Sequence, residues 1–468
     1  MTIFTIIYVV FAVLLLFGAA IFFHELGHYW VARRLGMKVE EFAIGMGPKI
    51  YSWKRNGIVY SLRWIPAGGF VKLPQMITSE TLEGEAGKDE PPAPPLHKIL
   101  VAVAGPIMNV IFAFVIATLI YFVGLPTLVN PSVIGAVDPG SPEAKMGIKE
   151  GDRIVMVNNH PVDSWQDVTF ETLTATTNVL PVVIVRGNVT NTYHLTASAS
   201  PMGGKWLNLD PREHPIVGAV ESDMPAAKVD LRSGDRILSV NGVPTPSQER
   251  MLDVVSNASG LPCKIVFMRG AEKKSVTITP KYDPQTKRAR IGISFSPGVY
   301  EVMRPGPSPW AQVKEVTDRT FGTISALIHS KKTGVKASDL SGPVGILSIL
   351  ASYVKEDYRL ALSFLVLLNI NLAIINMLPI PVLDGGHVLM SIIEKIRRRP
   401  LSPRIIEYVT TGFALLLICF MIYVTAADIK RFSLFRAMFK SGIQIEEPQN
   451  GSAATPTPAP AQSPSANH

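Results

Sequence analysis

The chain has 468 residues, 47% hydrophobic and only 18% charged, against about 25% charged in typical soluble domains. With a mean hydropathy of +0.26, that balance argues against a purely soluble enzyme and for a membrane protein with soluble insertions, while two cysteines exclude a disulfide scaffold. The net charge of +8 clusters beside apolar runs (Arg33-Arg34, Arg397 to Arg399, Lys430-Arg431) and forms no basic stripe with interleaved aromatics, so it speaks for a membrane and against nucleic acid.

A membrane helix needs about 20 apolar residues. Four stretches qualify: 4–30, 99–123, 360–378 and 405–427. The expected plan is a first transmembrane helix over 1–30, then a loop over 31–98 with a β-hairpin. The second helix, 99–123, is followed by β-rich modules over 124–212 and 213–297 and an amphipathic helical linker over 298–359. The third helix, 360–378, leads to a loop over 379–404, the fourth helix, 405–427, and a C-terminal segment over 428–468 that ends in a disordered tail. Loops 31–98 and 379–404 are rich in Lys and Arg and should face the cytoplasm, which puts 124–359 outside. Lys430, Arg431, Arg436 and Lys440 run against that orientation.

Within the first helix, His24-Glu25-Leu26-Gly27-His28 fits H-E-x-x-H. Positions i and i+4 share a helix face, so both imidazoles can bind one zinc ion. Zinc lowers the pKa of a water it binds toward ~7, and Glu25, next to the first ligand, is placed to take the proton. Two His and a Glu in an apolar helix are costly unless they face the protein interior. Arg33 lies about 13 Å further along the helix, which places the site inside the bilayer.

Residues 49–73 carry alternating flanks around Asn56-Gly57, a hairpin signal. Gly68-Gly69 lets another backbone approach closely. In a protected cavity, the edge of this hairpin could pair with an unwound substrate.

Residues 133–161 align without a gap on 216–244, with a shift of 83. Gly151-Asp152-Arg153-Ile154 matches Gly234-Asp235-Arg236-Ile237, and Asn158 matches Asn241. Each copy reads as a β-rich module and resembles a PDZ domain, a fold that binds extended chains at a sheet edge. Gly292 and Ile293 are the candidates for the peptide-binding loop of the second copy. Residues 309–329 read as an amphipathic helix.

A catalytic zinc needs a third protein ligand. Asp384 follows two prolines and precedes Gly385-Gly386 in "NINLAIINMLPIPVLDGGH". His387 is its rival. Asn371 and Asn376 are amides in an apolar span, suited either to helix packing or to holding substrate backbone and an oxyanion.

The motifs "HELGH" at 24–28, "AGPIMN" at 104–109 and "INMLPIPVLDGG" at 375–386 together resemble the site-2 protease family of intramembrane zinc metalloproteases, in its form with tandem PDZ domains between the second and third spans. "EFAIGMGP" at 41–48 and "SGPVGI" at 341–346 share the likeness. The resemblance implies an α-helical membrane protein with four transmembrane helices, a membrane-associated β-hairpin and two inserted PDZ domains. It implies zinc on His24, His28 and Asp384, with Glu25 as general base. It also implies substrates that are single-span membrane proteins, such as anti-sigma factors or remnant signal peptides, cut during regulated intramembrane proteolysis. The PDZ domains would filter access and could take peptide ligands of their own. Residence would be the bacterial cell inner membrane, with the PDZ domains periplasmic and the zinc site near the cytoplasmic side. The competing expectation is a membrane-tethered PDZ scaffold with a vestigial metal site.

Overall fold

The computed structural model describes residues 3–76, 92–128, 130–199, 205–212, 215–221, 224–258, 260–283, 288–296, 299–399, 401–430 and 444–446. Helix α1 (Ile3–Arg34) runs for 32 residues, about 48 Å. Phe4, Ile7, Phe11 and Leu15 form an exposed apolar stripe on it, the surface a lipid-facing helix needs.

Strands β1 (Glu41–Arg55) and β2 (Ile58–Lys72) follow. They turn at Asn56-Gly57, with φ of +50° and +83°. Positive φ at both central positions is the type I′ geometry, whose twist suits a hairpin. β2 then folds around β1. Glu41–Ile44 register with Gly69–Lys72 on one side and with Val59–Leu62 on the other. Gly69–Lys72 therefore forms the rim of a curled sheet. Phe42, Ile58 and Val71 join this sheet to Ala32 of α1 and to Val101 of the next helix in one core.

Helix α2 (Pro95–Val123) begins with proline, where no intrahelical N–H is needed. A Cβ added at Gly27 would lie 2.3 Å from the Ala104 carbonyl oxygen. The α1 and α2 backbones thus touch, as small residues allow in membrane helices.

The two modules repeat each other. The first is a sheet of His160–Pro161, Arg153–Val157, Val179–Arg186 and Val189–Thr196, in that order, with helix Trp165–Thr174. The second is Val243–Pro244, Arg236–Val240, Cys263–Arg269 and Glu272–Ile278, with helix Gln248–Asn257. Each keeps a buried Asp held by a more exposed Arg at the same place: Arg186 on Asp152, both bonds at 2.6 Å, and Arg269 on Asp235, both at 2.8 Å. In the second module the Gly292 carbonyl accepts the Glu221 N–H at 2.8 Å, and Ile293 packs on the module core. Arg250 of the second module reaches Asp138 and Asp210 of the first, at 2.7 and 3.2 Å.

Helix α3 (Pro309–Ile328) leads back to the membrane helices. Its Gln312 donates to the Ala117 carbonyl of α2 at 3.1 Å. Its Arg319 pairs with Asp167 of the first module at 2.7 Å. Helices α4 (Pro343–Glu356), α5 (Tyr358–Asn376), α6 (Asp384–Arg397) and α7 (Pro403–Lys430) follow.

Among the described residues, five helical stretches, not the expected four, are long and apolar enough to cross a membrane: Ile3–Arg34, Pro95–Val123, Ala337–Glu356, Tyr358–Asn376 and Arg404–Ile429. The additional one falls in the expected linker. It is a short 3-10 turn, Ala337–Asp339, followed by α4. With 14 residues, α4 spans about 21 Å, short of the ~30 Å hydrocarbon core. Its N-terminus is capped from another helix: Asp428 of α7 accepts the Gly342 and Gly345 N–H groups at 3.1 and 2.8 Å. That carboxylate stabilises the orphan donors of a helix start. Ser341-Gly342-Pro343 breaks the hydropathy of this stretch, which is why it reads as a linker in sequence. The disordered tail expected at the chain end lies outside the described residues, save for strand Gln444–Glu446 beside Val299–Met303.

Candidate metal centre

Helix α1 presents His24 and His28 on one face, their Nε2 atoms 3.2 Å apart. Asp384, the first residue of α6, meets them: Oδ2 is 3.3 Å from His24 Nε2 and Oδ1 is 3.5 Å from His28 Nε2. One ligand atom from each of the three residues falls within a 4.8 Å cluster. Two glycines put Asp384 there. A Cβ at Gly385 would lie 2.4 Å from the Met377 and Leu378 carbonyl oxygens, and one at Gly386 would lie 2.2 Å from that of Ile380. Only glycines let the start of α6 fold so tightly onto the loop after α5.

Each imidazole has its far nitrogen occupied. His28 Nδ1 donates to the Val101 carbonyl at 2.8 Å, which leaves Nε2 with the lone pair. His24 Nδ1 meets the side-chain amide of Asn109 at 3.1 Å. Asn109 is fully buried, and its Oδ1 has no hydrogen-bond partner. A half-turn of that amide lets Oδ1 accept the His24 Nδ1–H and satisfies both groups. The Asp384 Oδ2 is likewise buried without a hydrogen-bond partner. A Cβ at Gly105 would stand 2.3 Å from His28 Nε2 and 2.9 Å from His24 Cε1, so α2 leaves room there only because it carries glycine. Two imidazole lone pairs, an unsatisfied carboxylate oxygen and a cradle free of side chains fit a divalent metal such as zinc.

Glu25 is buried beside the histidines. Gly69 lies against it: a Cβ there would be 2.8 Å from Glu25 Cγ and 2.7 Å from the Ala43 carbonyl oxygen. The rim of the curled sheet thus passes directly over Glu25. Its neighbour Gly68 takes φ +90° beside Met46. Asn376 brings its Nδ2 to 3.4 Å from His24 Nε2. Asn371 is held elsewhere, accepting the Thr320 hydroxyl of α3 at 2.5 Å. His387 stands apart from the three-residue cluster and lines a small cavity with Lys98, Ser391 and Glu394. Asn109 carries no signal of its own in sequence beyond its place at the end of "AGPIMN".

The family description Peptidase family M50 matches residues 12–420. The chain belongs to this family. The Regulator of sigma-E protease RseP of Salmonella typhimurium is 30% identical over 463 residues, covering 88% of this chain and 96% of that protein. RseP of Escherichia coli is 29% identical over 440 residues, covering 86% and 94%. A Neisseria meningitidis protein named "Putative zinc metalloprotease" is 29% identical over 451 residues, covering 90% and 97%. The PDZ domain of an SdrC-like protein from Listeria monocytogenes aligns with 18% of this chain and 87% of its own, at 27% identity and a TM-score of 0.17. Family membership makes the chain a site-2 type metalloendopeptidase, and its apolar helices make it a multi-pass bacterial membrane protein. Zinc is the metal that relatives' names give for the family.

Proposed function

We propose that His24, His28 and Asp384 hold one zinc ion and that Glu25 is the general base for hydrolysis of a peptide bond inside the membrane. The observation that carries this reading is the convergence of three ligand atoms within 4.8 Å beside a buried Glu25. Zinc bound there supplies Lewis-acid activation of water and of the scissile carbonyl.

The chain's own residues do the rest. Val101 and Asn109 hold the imidazoles with Nε2 toward the site. Glu25 takes the proton of the attacking water and passes it to the leaving nitrogen. A helix shields its peptide bonds, so a substrate must be extended first. Gly69–Lys72 offers backbone along a sheet rim directly above Glu25, and an unwound segment pairs there. Gly68 and Gly69 allow the close approach. The Asn376 amide donates to the carbonyl oxygen as charge builds on it. Asn371 acts indirectly, tying α3 to α5 through Thr320.

The substrates are single-span membrane proteins, of the anti-sigma-factor and remnant-signal-peptide type, which is consistent with the sigma-E regulators among the relatives. The β modules are PDZ domains on the periplasmic side that filter what reaches the site and can take peptides. Their ion pair to α3 through Arg319 supports placing them over the entrance. The curled sheet associates with the membrane from the cytoplasmic side of the inner membrane. Four helices span, with α4 lying part-way as a capped half-helix. The domain boundaries proposed are those read from sequence, with α4 added to the segment 298–359.

The test is cleavage of a tagged single-span protein by the full chain in membranes, with the cut mapped by mass spectrometry. The reading requires a cut inside the span that a zinc chelator abolishes. A cut outside the span, or one indifferent to chelation, would overturn it.

A further inference from the structure

A buried ion pair joins two helices of the site at a distance from the ligand atoms. Lys98 Nζ, in the first turn of α2, donates to Glu394 Oε2 of α6 at 2.9 Å. The two side chains are 8% and 6% exposed. Glu394 Oε1 also accepts the N–H of Leu401, just ahead of α7, at 3.2 Å. Charges so buried are costly to keep unless paired. Neither is used by the chemistry above.

Their places in the helices suggest what they do. On α6, Asp384, His387, Ser391 and Glu394 recur every three or four residues and share one face. On α2, Lys98, Val101, Gly105 and Asn109 recur in the same way. The α2 face holds both imidazoles: Val101 accepts from His28, Asn109 meets His24, and Gly105 lies against both rings. The α6 face begins with the carboxylate. Two stiff helices thus hold the two halves of one ligand set, α2 through its contacts to the histidines of α1 and α6 through its own Asp384, and among the described residues the hydrogen bond that ties α6 to α2 is the Lys98–Glu394 pair. Beside the pair lies a cavity of about 20 Å³ lined by Lys98, His387, Ser391, Glu394 and neighbouring apolar groups.

We propose that Lys98 and Glu394 are positioning residues that set Asp384 against His24 and His28. The proposal rests on the zinc reading above. A site must be held to within about 0.5 Å by the residues around it, and a helix shifted at Glu394 carries Asp384 with it. Lys98 and Val101, one turn apart on α2, then set the spacing of carboxylate and imidazole from a single short stretch.

The test measures zinc affinity by chelator competition on the purified full chain in nanodiscs, with thermal unfolding of the metal-free protein as the folding check. The variants are Lys98→Met, Glu394→Gln, Lys98→Arg and the double Lys98→Met/Glu394→Gln. Each disruptive single variant is expected to bind zinc 10- to 100-fold more weakly. Lys98→Arg should stay within a few-fold of the parent. The double variant leaves no buried charge unpaired and keeps the fold even where a single variant does not; it should bind zinc at least tenfold more weakly than the parent, though no more weakly than the worse single. A folded double variant with the parent's zinc affinity would overturn the proposal. Should the parent bind no zinc, or bind it equally well with Asp384→Asn, the fault lies in the metal reading and not in the clamp.

Discussion

The carbonyl of Val101 takes the Nδ1–H of His28 at 2.8 Å, and this one contact decides which ring nitrogen faces Asp384. A ring bonded to a carbonyl through Nδ1–H has its lone pair on Nε2. The same logic gives Asn109 its role on His24, where the amide is buried with an unsatisfied oxygen.

Asn109→Leu keeps the volume roughly and removes the acceptor. Its zinc affinity should fall about 10- to 100-fold, the usual loss when the group behind a ligating histidine is removed. Chelator competition reads this directly. Unchanged affinity would mean that His24 is oriented by packing alone.

Two glycine substitutions should separate metal binding from turnover. Gly105→Ala would place a methyl 2.3 Å from His28 Nε2, so zinc content should be lost with activity. Gly69→Ala would crowd Glu25 and the Ala43 carbonyl instead. It should retain zinc and lose turnover at least tenfold. Metal analysis beside a cleavage assay checks both.

Asp384→Asn should weaken zinc binding and activity together, because an amide is a poorer ligand than a carboxylate. His387→Gln should leave the metal content near that of the parent. His387 lies outside the ligand cluster, on the wall of a cavity that none of the three ligand residues lines. The opposite pattern would make His387 the third ligand.

Asp152 in the first module gives a pH prediction. Burial pushes its carboxyl up, but the Arg186 guanidinium and the Lys149 N–H outweigh that and hold it below the usual range. A carboxyl whose pKa is depressed in the fold contributes stability above its unfolded value, about 3.9. That stability is lost as pH falls below it. Asp152→Asn should cost about 1–3 kcal/mol at neutral pH, and its deficit should shrink below about pH 4. Unfolding followed by fluorescence of Trp165 and Trp206 checks the convergence of the two curves on acidification.

Much of this architecture is legible from local signals. The H-E-x-x-H spacing is a helical period, so His24 and His28 share a face whatever surrounds them. The repeat at 83 residues exposes two modules because both copies kept Gly-Asp-Arg-Ile. Contacts between distant elements leave no such trace. The capping of α4 needs Asp428, more than 80 residues further along the chain. Arg186 and Arg269 complete the repeated Asp pairs from strands outside the aligned stretch. Asn371 and Asn376, two of the three asparagines of α5, look alike in sequence; only the packing of α3 takes Asn371 to Thr320 and leaves Asn376 at His24.

The central claim is that Glu25 moves the proton at a metal site built by three other residues. The most direct measurement is Glu25→Gln, assayed in parallel for bound zinc and for cleavage of a tagged single-span substrate in membranes. The account predicts one zinc per chain, as in the parent, with cleavage lowered by at least a thousandfold. Cleavage near the parent's rate with zinc in place would contradict it.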